Sequence, residues 1–556
     1  MSNKNKLELT WTNKDKSLYF DPEKKQYEWV DKKDPRVSEP RILIEKASFG
    51  EINSDNILIK GDNLLALKSL LDEFSGMIKL IYIDPPFNTG SALEHYDDGL
   101  EHSIWLGIMR DRLQLLQKLL KNDGLIFVHI DNHEIGYLKV LLDEIFMNKN
   151  FVQMISEQRA SPAGFKTINP GPLTVTDYIL IYAKDKNLIN WTPQYIPVSY
   201  DENYDLLITN FNEVDNPEKW TFKKVIDIVY EKYGFKSWKD AKNEWGDEWK
   251  SIRKSIASTI ALENSQRVVS IRDPHKPSRA IKELMIQSRN KKNKVHILIR
   301  EKYDDIYILN GGSLSFYKNK IRKIDGKMVA TELLTDLWTD INYAGIAKEG
   351  GVIFKNSKKP EKLLRRIIEM NSEPHDYVLD SFAGSGTTGA VAHKMNRKWI
   401  MIEFGNHANT HIIPRLSRVI SGEDKTGISK LVGWKGGGGF KYFELGDSLF
   451  VTDKDLRLTV INPKIYNGPL IRAVLKIEGF RLLNPNNGAH GISGTTIAHV
   501  TEQYVTQNYV QVLLNEIGEK ADFIVIYAKT ISNNMNLPDN IELKKIPDVL
   551  LRKFNI

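Results

Sequence analysis

Tyr377-Val378-Leu379-Asp380-Ser381-Phe382-Ala383-Gly384-Ser385-Gly386-Thr387-Thr388-Gly389 is the stretch on which the reading of this chain turns. An apolar run ends in an acid, and the next residues fit G-x-G-x-x-G from Gly384 to Gly389. Glycine is needed where a backbone must turn tightly and approach a ligand with no Cβ in the way. The pattern then predicts a helix over 387–395 and a second strand, Lys398-Trp399-Ile400-Met401-Ile402-Glu403, again ending in an acid. Strand, glycine loop, helix and strand predict a nucleotide-binding half of a parallel sheet. A carboxylate at Glu403 can take both hydroxyls of a ribose. A dinucleotide is the competing ligand, but Asp380 sits before the loop, where it repels a pyrophosphate. It suits a cationic group instead, such as the amino acid end of S-adenosylmethionine.

Far upstream a second apolar run, Leu80-Ile81-Tyr82-Ile83, ends in Asp84-Pro85-Pro86-Phe87. An exocyclic amine on a nucleic-acid base is a poor nucleophile, because its lone pair is delocalised into the ring. Its methylation needs acceptors for the N–H bonds. Asp84 offers a carboxylate and Pro85 a carbonyl. Two prolines fix φ and stiffen the loop, so both acceptors are placed in advance. Phe87 can stack on the base, which must leave the duplex to reach such a pocket. Without a cofactor loop elsewhere, Asp-Pro-Pro would read as a proline-kinked strand end. With one, the two motifs predict an S-adenosylmethionine-dependent amino-methyltransferase.

Around these motifs the chain alternates strands and helices. Short strands are expected at Ile57–Lys60, over 77–83, at 125–130 and at 177–183, with helices over 63–71, 103–120 and 137–146. Lys121-Asn122-Asp123-Gly124 reads as a glycine stop for the second helix. Asp62 follows the first strand, and both a helix N-cap and a contact to the adenine of the donor suit it. The alternation lapses at about 186. Residues 266–327 then carry roughly two to three times more Lys and Arg than Asp and Glu, as a polyanion-reading segment would. The run Gly433-Trp434-Lys435-Gly436-Gly437-Gly438-Gly439-Phe440 reads as a flexible hinge. The expected divisions are an extended N-terminal arm (1–50), a catalytic half (51–185), a target-recognition domain (186–335), a cofactor half (336–432) and a C-terminal domain (440–556).

Composition narrows the class. The chain has 556 residues, too many for one core, with 41% hydrophobic and 10% aromatic content. It has no cysteine, which excludes disulfides and thiolate metal sites. The net charge of +7 is mild for this length and compatible with a polyanion. No signal peptide and no apolar run long enough for a membrane are visible, so the expected location is cytoplasmic. His129-x-Asp131-x-His133 has the look of a metal cluster, but no further ligand is evident, and loop residues beside the site are expected, with no metal. No G-x-x-x-x-G-K-[ST] is present.

On these motifs the chain resembles the beta-class amino-methyltransferases of DNA, and within them the modification subunits of Type III restriction–modification systems. In that class the amine motif precedes the cofactor motif, with target recognition between them, and this chain has that order. Asp84 to Phe87, extended by Asn88-Thr89-Gly90, matches the family's D-P-P-Y/F. Asp380 to Thr388 matches its cofactor motif, and Glu403 the acid after it. Phe354 with Lys359-Pro360 matches the segment that closes over the donor, although Ser357-Lys358-Lys359-Pro360 is looser than usual. The resemblance implies an α/β fold. It has a Rossmann-like methyltransferase domain with a mostly parallel sheet and circularly permuted motif order, an inserted target-recognition domain and a small C-terminal α/β domain. It implies catalysis by Asp84, Pro85, Pro86 and Phe87. It implies S-adenosyl-L-methionine held by Asp62, Phe354, Asp380, Phe382, Ala383, Gly384, Ser385, Gly386, Thr387 and Glu403. The implied substrate is adenine N6 in double-stranded DNA, and the implied partners are a second copy of the chain and a separate restriction (helicase–nuclease) subunit. Cytosine-N4 methylation and a specificity subunit with vestigial catalysis are the alternatives.

Overall fold

A computed structural model of the chain describes residues 7–21, 24, 26–88, 101–160, 172–354, 358–452, 459–462, 470–483, 488–517, 521–546 and 548. Thr89, Gly90 and Ser357 lie outside them. The chain divides into two compact units, one of 1–192 with 335–556 and the other of 193–334, against the 186–335 expected for an insert. Among the described residues no helix is long and apolar enough to cross a membrane.

The first unit is built on a ten-stranded sheet. Its strands are β1 (Leu43–Gly50), β2 (Ile57–Lys60), β3 (Ile78–Ile83), β4 (Leu120–Ile130), β5 (Phe151–Gln158), β6 (Thr176–Ala183), β7 (Leu337–Trp338), β8 (Tyr377–Asp380), β9 (Lys398–Glu403) and β10 (Gly439–Leu445). Their order across the sheet is β7-β5-β6-β4-β3-β8-β9-β2-β10-β1. Pairing is parallel through the centre, and β6 and the edge strand β1 run antiparallel to their neighbours. Every residue of β3 is buried, the pattern of a strand covered on both faces. The covering helices include α1 (Asn63–Phe74), α2 (His102–Leu119), α3 (Ile135–Phe146), α4 (Glu361–Asn371), α5 (Thr387–Lys394) and α6 (Ile413–Ile420). The apolar faces of α1, α2 and α3 and the sheet make one core, from Leu67 and Leu70 through Leu113 and Leu116 to Leu138 and Leu142.

The decisive pairing is β3 with β8, which are distant in sequence. They lie side by side and parallel, Val378 opposite Leu80 and Leu379 opposite Ile81. Adjacent strands are about 4.8 Å apart. The loops that follow them therefore leave the sheet at the same edge. Glu403 ends the next strand, whose Met401 pairs with Asp380, and Asp62 follows the one after.

Four expectations are corrected. Residues 17–50 are no extended arm. Ser17–Asp21 and Gln26–Val30 form a hairpin whose Leu18 and Trp29 close on Gly107 of α2, where a Cβ would fall 2.8 and 2.7 Å from them. Leu43–Gly50 is the sheet edge itself. The glycine run at 433–440 is no flexible hinge. Gly437 donates to the Ile420 carbonyl at 2.8 Å, the Gly438 carbonyl accepts from Glu51 at 3.1 Å, and Gly439 opens β10. Gly436, Gly437 and Gly438 have φ of 106, 117 and 76°, so glycine is demanded by conformation and close packing. The C-terminal part accordingly starts after Leu445, because β10 pairs with both β2 and β1 in the main sheet. Gly124, expected to stop α2, lies inside β4 at a register shift against β3, and the helix already ends at Leu119. Beyond β10 a five-stranded mixed sheet packs with helices Leu470–Glu478 and Gln507–Ile517.

The second unit contains a six-stranded antiparallel sheet, a three-stranded antiparallel sheet and four α-helices over 225–290. Tyr204, Leu207, Val229, Ile260, Val268 and Tyr317 belong to its core.

Candidate active site

Asp84-Pro85-Pro86-Phe87 is held from several sides. Pro85 is buried, while Asp84, Pro86 and Phe87 are half-buried. The Trp105 indole N–H, from α2, donates to the Pro86 carbonyl at 2.8 Å. Asn88 closes the turn at φ 61°, a conformation asparagine tolerates better than most, and its amide donates to Glu134 Oε1 at 2.6 Å. The Phe87 ring lies nearly parallel to His129, 6.0 Å between centroids. Prolines, an indole hydrogen bond and a buried carboxylate thus leave the loop little freedom.

The glycine loop is equally constrained. Asp380 Oδ1 accepts the Phe382 N–H at 2.9 Å, and its Oδ2 accepts the Thr388 hydroxyl at 2.5 Å. Its side chain is buried, and burial pushes the carboxyl up to about 7 against the pull of those two donors, with Asp84 and Glu403 pushing further. Asp84 acts on Asp380 because the two strand ends adjoin. Glu403 Oε2 accepts the Gly384 N–H at 2.8 Å, while its Oε1 accepts from Gly405 N–H at 2.9 Å and pairs with His407 at 2.9 Å. Gly384 (φ 53°) faces open space, where a Cβ would meet only the Phe382 carbonyl at 3.9 Å. Beside it the Ser381 hydroxyl is buried with no hydrogen-bond partner among the described residues. An open cradle, an orphaned hydroxyl and two carboxylates fit a nucleoside carrying positive charge.

Other expected ligand contacts fall differently. Ser385 and Thr387 turn their side chains inward. The Arg415 guanidinium donates to Thr387 Oγ1 at 2.7 Å and to the Ser385 carbonyl at 3.3 Å. Arg415 also pairs with Glu361 at 2.8 Å, Glu361 with Lys394 at 2.8 Å, and Lys394 with Asp424 at 2.7 Å, all buried. What Ser385 and Thr387 present to a ligand is therefore backbone. Asp62 caps α1, accepting from Leu64 N–H at 2.9 Å, and pairs with Arg112 at 3.2 Å. Phe354 is buried against the rings of His407 and His411, each 5.4 Å away, one step from Glu403. Ala383 is buried and Phe382 half-buried in the turn. Gly386 (φ 75°) packs on Ile412.

A "DNA methylase" family model matches residues 78–413, a span that contains both loops and the segment between them. This chain belongs to the DNA methylase family. Within the family it is 35% identical over 433 residues to the "Probable type III restriction-modification enzyme HindVI Mod subunit" of Haemophilus influenzae, covering 72% of this chain and 56% of that protein. It is 30% identical to the "Type II methyltransferase M.EcaI" of Enterobacter cloacae, covering 68% of this chain and 73% of that one. It is 28% identical to the "Type III restriction-modification enzyme EcoP15I Mod subunit" of Escherichia coli, over 62% of this chain and 57% of that one. The chain thus spans a little over half the length of the two Mod subunits.

Sequence reasoning about this methylase chain missed a polar cluster behind Phe87. Glu157 on β5 and Asp177 on β6 are directly opposite one another, both fully buried. Facing like charges are unfavourable. His129 Nε2, on β4, lies 3.6 Å from Glu157 Oε2 and 3.5 Å from Asp177 Oδ2. Its Nδ1 meets the Tyr82 hydroxyl at 3.0 Å, and Tyr343 donates to Glu157 Oε1 at 3.0 Å. Burial raises the Glu157 carboxyl above its usual range. The available signal was an acid at the edge of each of two apolar strands. By contrast, Asp131 and His133 pair with each other at 2.8 Å.

Proposed function

We propose that this chain methylates adenine N6 in double-stranded DNA with S-adenosyl-L-methionine, flipping the base out, as the modification subunit of a restriction–modification system. The observation that carries the reading is the parallel pairing of β3 with β8. It sets the Asp84 loop beside the Asp380 loop at one sheet edge. The bound donor would supply an electrophilic methyl group. Asp380, the Gly384 backbone and Glu403 would hold it, with Phe354 behind Glu403. Asp84 and the Pro85 carbonyl would accept the N–H bonds of the amine and turn its lone pair outward. As the nitrogen becomes positive, the Asp84 carboxylate stabilises it, and no reorganisation is needed because the prolines have already placed it. Phe87 gives the flipped base a stacking surface worth about 1–3 kcal/mol. Relatives named as Mod subunits support the assignment to a restriction–modification system. A second copy, a helicase–nuclease partner and a cytoplasmic location belong to the same reading.

The test is modified-base sequencing of the host genome with and without the gene, followed by digestion of methylated DNA to nucleosides. N6-methyladenine at one short sequence, lost with the gene, is the expected result. N4-methylcytosine would move the reading to the other amine, and no modified base would refute it.

A further inference from the structure

Lys359 stands where a target amine would stand. Its ammonium nitrogen is 2.9 Å from Asp84 Oδ1 and 4.8 Å from the centroid of the Phe87 ring. Those are the two partners that the proposed chemistry requires of the flipped base: a carboxylate for its N–H bonds and an aromatic face for its ring. The Lys359 and Asp84 side chains are 11% and 17% exposed, so the pair is mostly shielded from screening by solvent. A cation left there during methyl transfer would oppose the positive charge growing on the nitrogen. It has a place to go. The Glu157–Asp177 pair is buried; Arg159 lies 3.4 Å from Asp177 Oδ1 and His129 3.5–3.6 Å from both acids, yet Glu157 Oε2 and both oxygens of Asp177 lack a hydrogen-bond partner of good geometry. Lys359 is already among the cations that draw both carboxyls down.

We propose that Lys359 is a resident cation of the target-base pocket, holding Asp84 and covering Phe87 while no base is bound and withdrawing to the Glu157–Asp177 pair when one enters. This rests on the reading of Asp84 and Phe87 as the amine site. Lys359 acts as a positioning residue: it keeps the acceptor carboxylate aimed into the pocket and makes entry conditional on a base that competes for it. Glu157 and Asp177 provide its second position, where two facing acids favour a further cation beside His129 and Arg159.

The experiment compares the wild-type chain with Lys359→Met on two duplexes carrying the sequence mapped by modified-base sequencing. In one, the target base faces an abasic gap, so that it flips freely. In the other, the target base itself is missing. Lys359→Met should bind the first duplex about fivefold more tightly than wild type, the scale of one shielded ion pair, and the second no more tightly. Glu157→Gln should raise KM for DNA, and adding Lys359→Met to it should bring KM back down. No gain on the first duplex, or an equal gain on both, overturns the proposal. Should Lys359→Met fail to fold, full-length Asp84→Asn provides a test without DNA. Acetylation of Lys359 by an N-hydroxysuccinimide ester, read by peptide mass mapping, should rise several-fold, and an unchanged rate overturns the proposal. A chain that never methylates DNA would refute the proposed function and leave this labelling result standing.

Discussion

Asp380→Asn gives the sharpest test of how the glycine loop is built. In the folded chain burial lifts the Asp380 carboxyl to about 7 from an ordinary 3.8. Three pKa units correspond to about 4 kcal/mol of differential interaction between the two protonation states. The sign follows from linkage. The unfolded chain ionises this group near pH 4 and the folded chain near pH 7, so between those values the folded state holds the extra proton. This group's contribution to stability is therefore present in acid, falls by about 1.4 kcal/mol per unit as pH rises, and levels off above 7. Asp380→Asn removes the titration. Urea unfolding of both proteins without ligand, at pH 5, 6, 7 and 8, should show wild type losing about 2–3 kcal/mol relative to the variant between pH 5 and 7. Parallel curves would refute the reasoning. A cationic donor favours the ionised carboxylate, so its binding to wild type at pH 6 should release a proton. Calorimetry in two buffers of different ionisation enthalpy reads that release directly, and Asp380→Asn should abolish it.

Asp84→Ala should lower methyl transfer by about 10²–10³ at unchanged donor affinity, measured by tritiated-methyl incorporation alongside equilibrium dialysis. Phe87→Tyr should retain most activity, and Phe87→Ala should lose about 1–3 kcal/mol in DNA-dependent kcat/KM, up to about a hundredfold. Arg415→Met strips one cation from the buried Glu361 network and the anchor from Thr387, and should cost about 3–5 kcal/mol in urea unfolding.

Local pattern carried the sequence reading a long way. β3, β8 and β9 are short apolar runs ending in an acid or followed directly by one, and Gly384 to Gly386 could only be a tight turn. The glycine run at 433–440 misled because composition reports conformational freedom, not use. Four glycines serve a hinge or a crowded crossing equally well, and the Ile420 carbonyl and the Gly422 backbone close around Gly436 here. The N-terminal segment misled similarly: its scattered aromatics looked like an arm until Gly107 gave Trp29 a seat. Lys359 and the Glu157–Asp177 pair were illegible for a different reason, since each contact joins residues from separate strands or loops.

By itself the sequence determined which chemistries are available: an acid and a carbonyl fixed by prolines, a glycine cradle, acids at strand ends. These depend on neighbours a few residues apart, whose geometry the backbone dictates. Tertiary structure alone decided that β8 inserts beside β3 and brings Asp84 next to Asp380, that Arg415 draws Ser385 and Thr387 inward, and that a lysine stands before the Asp84 carboxylate. Such choices follow from how a buried sheet orders its strands and satisfies its charges, and no short stretch of chain contains them.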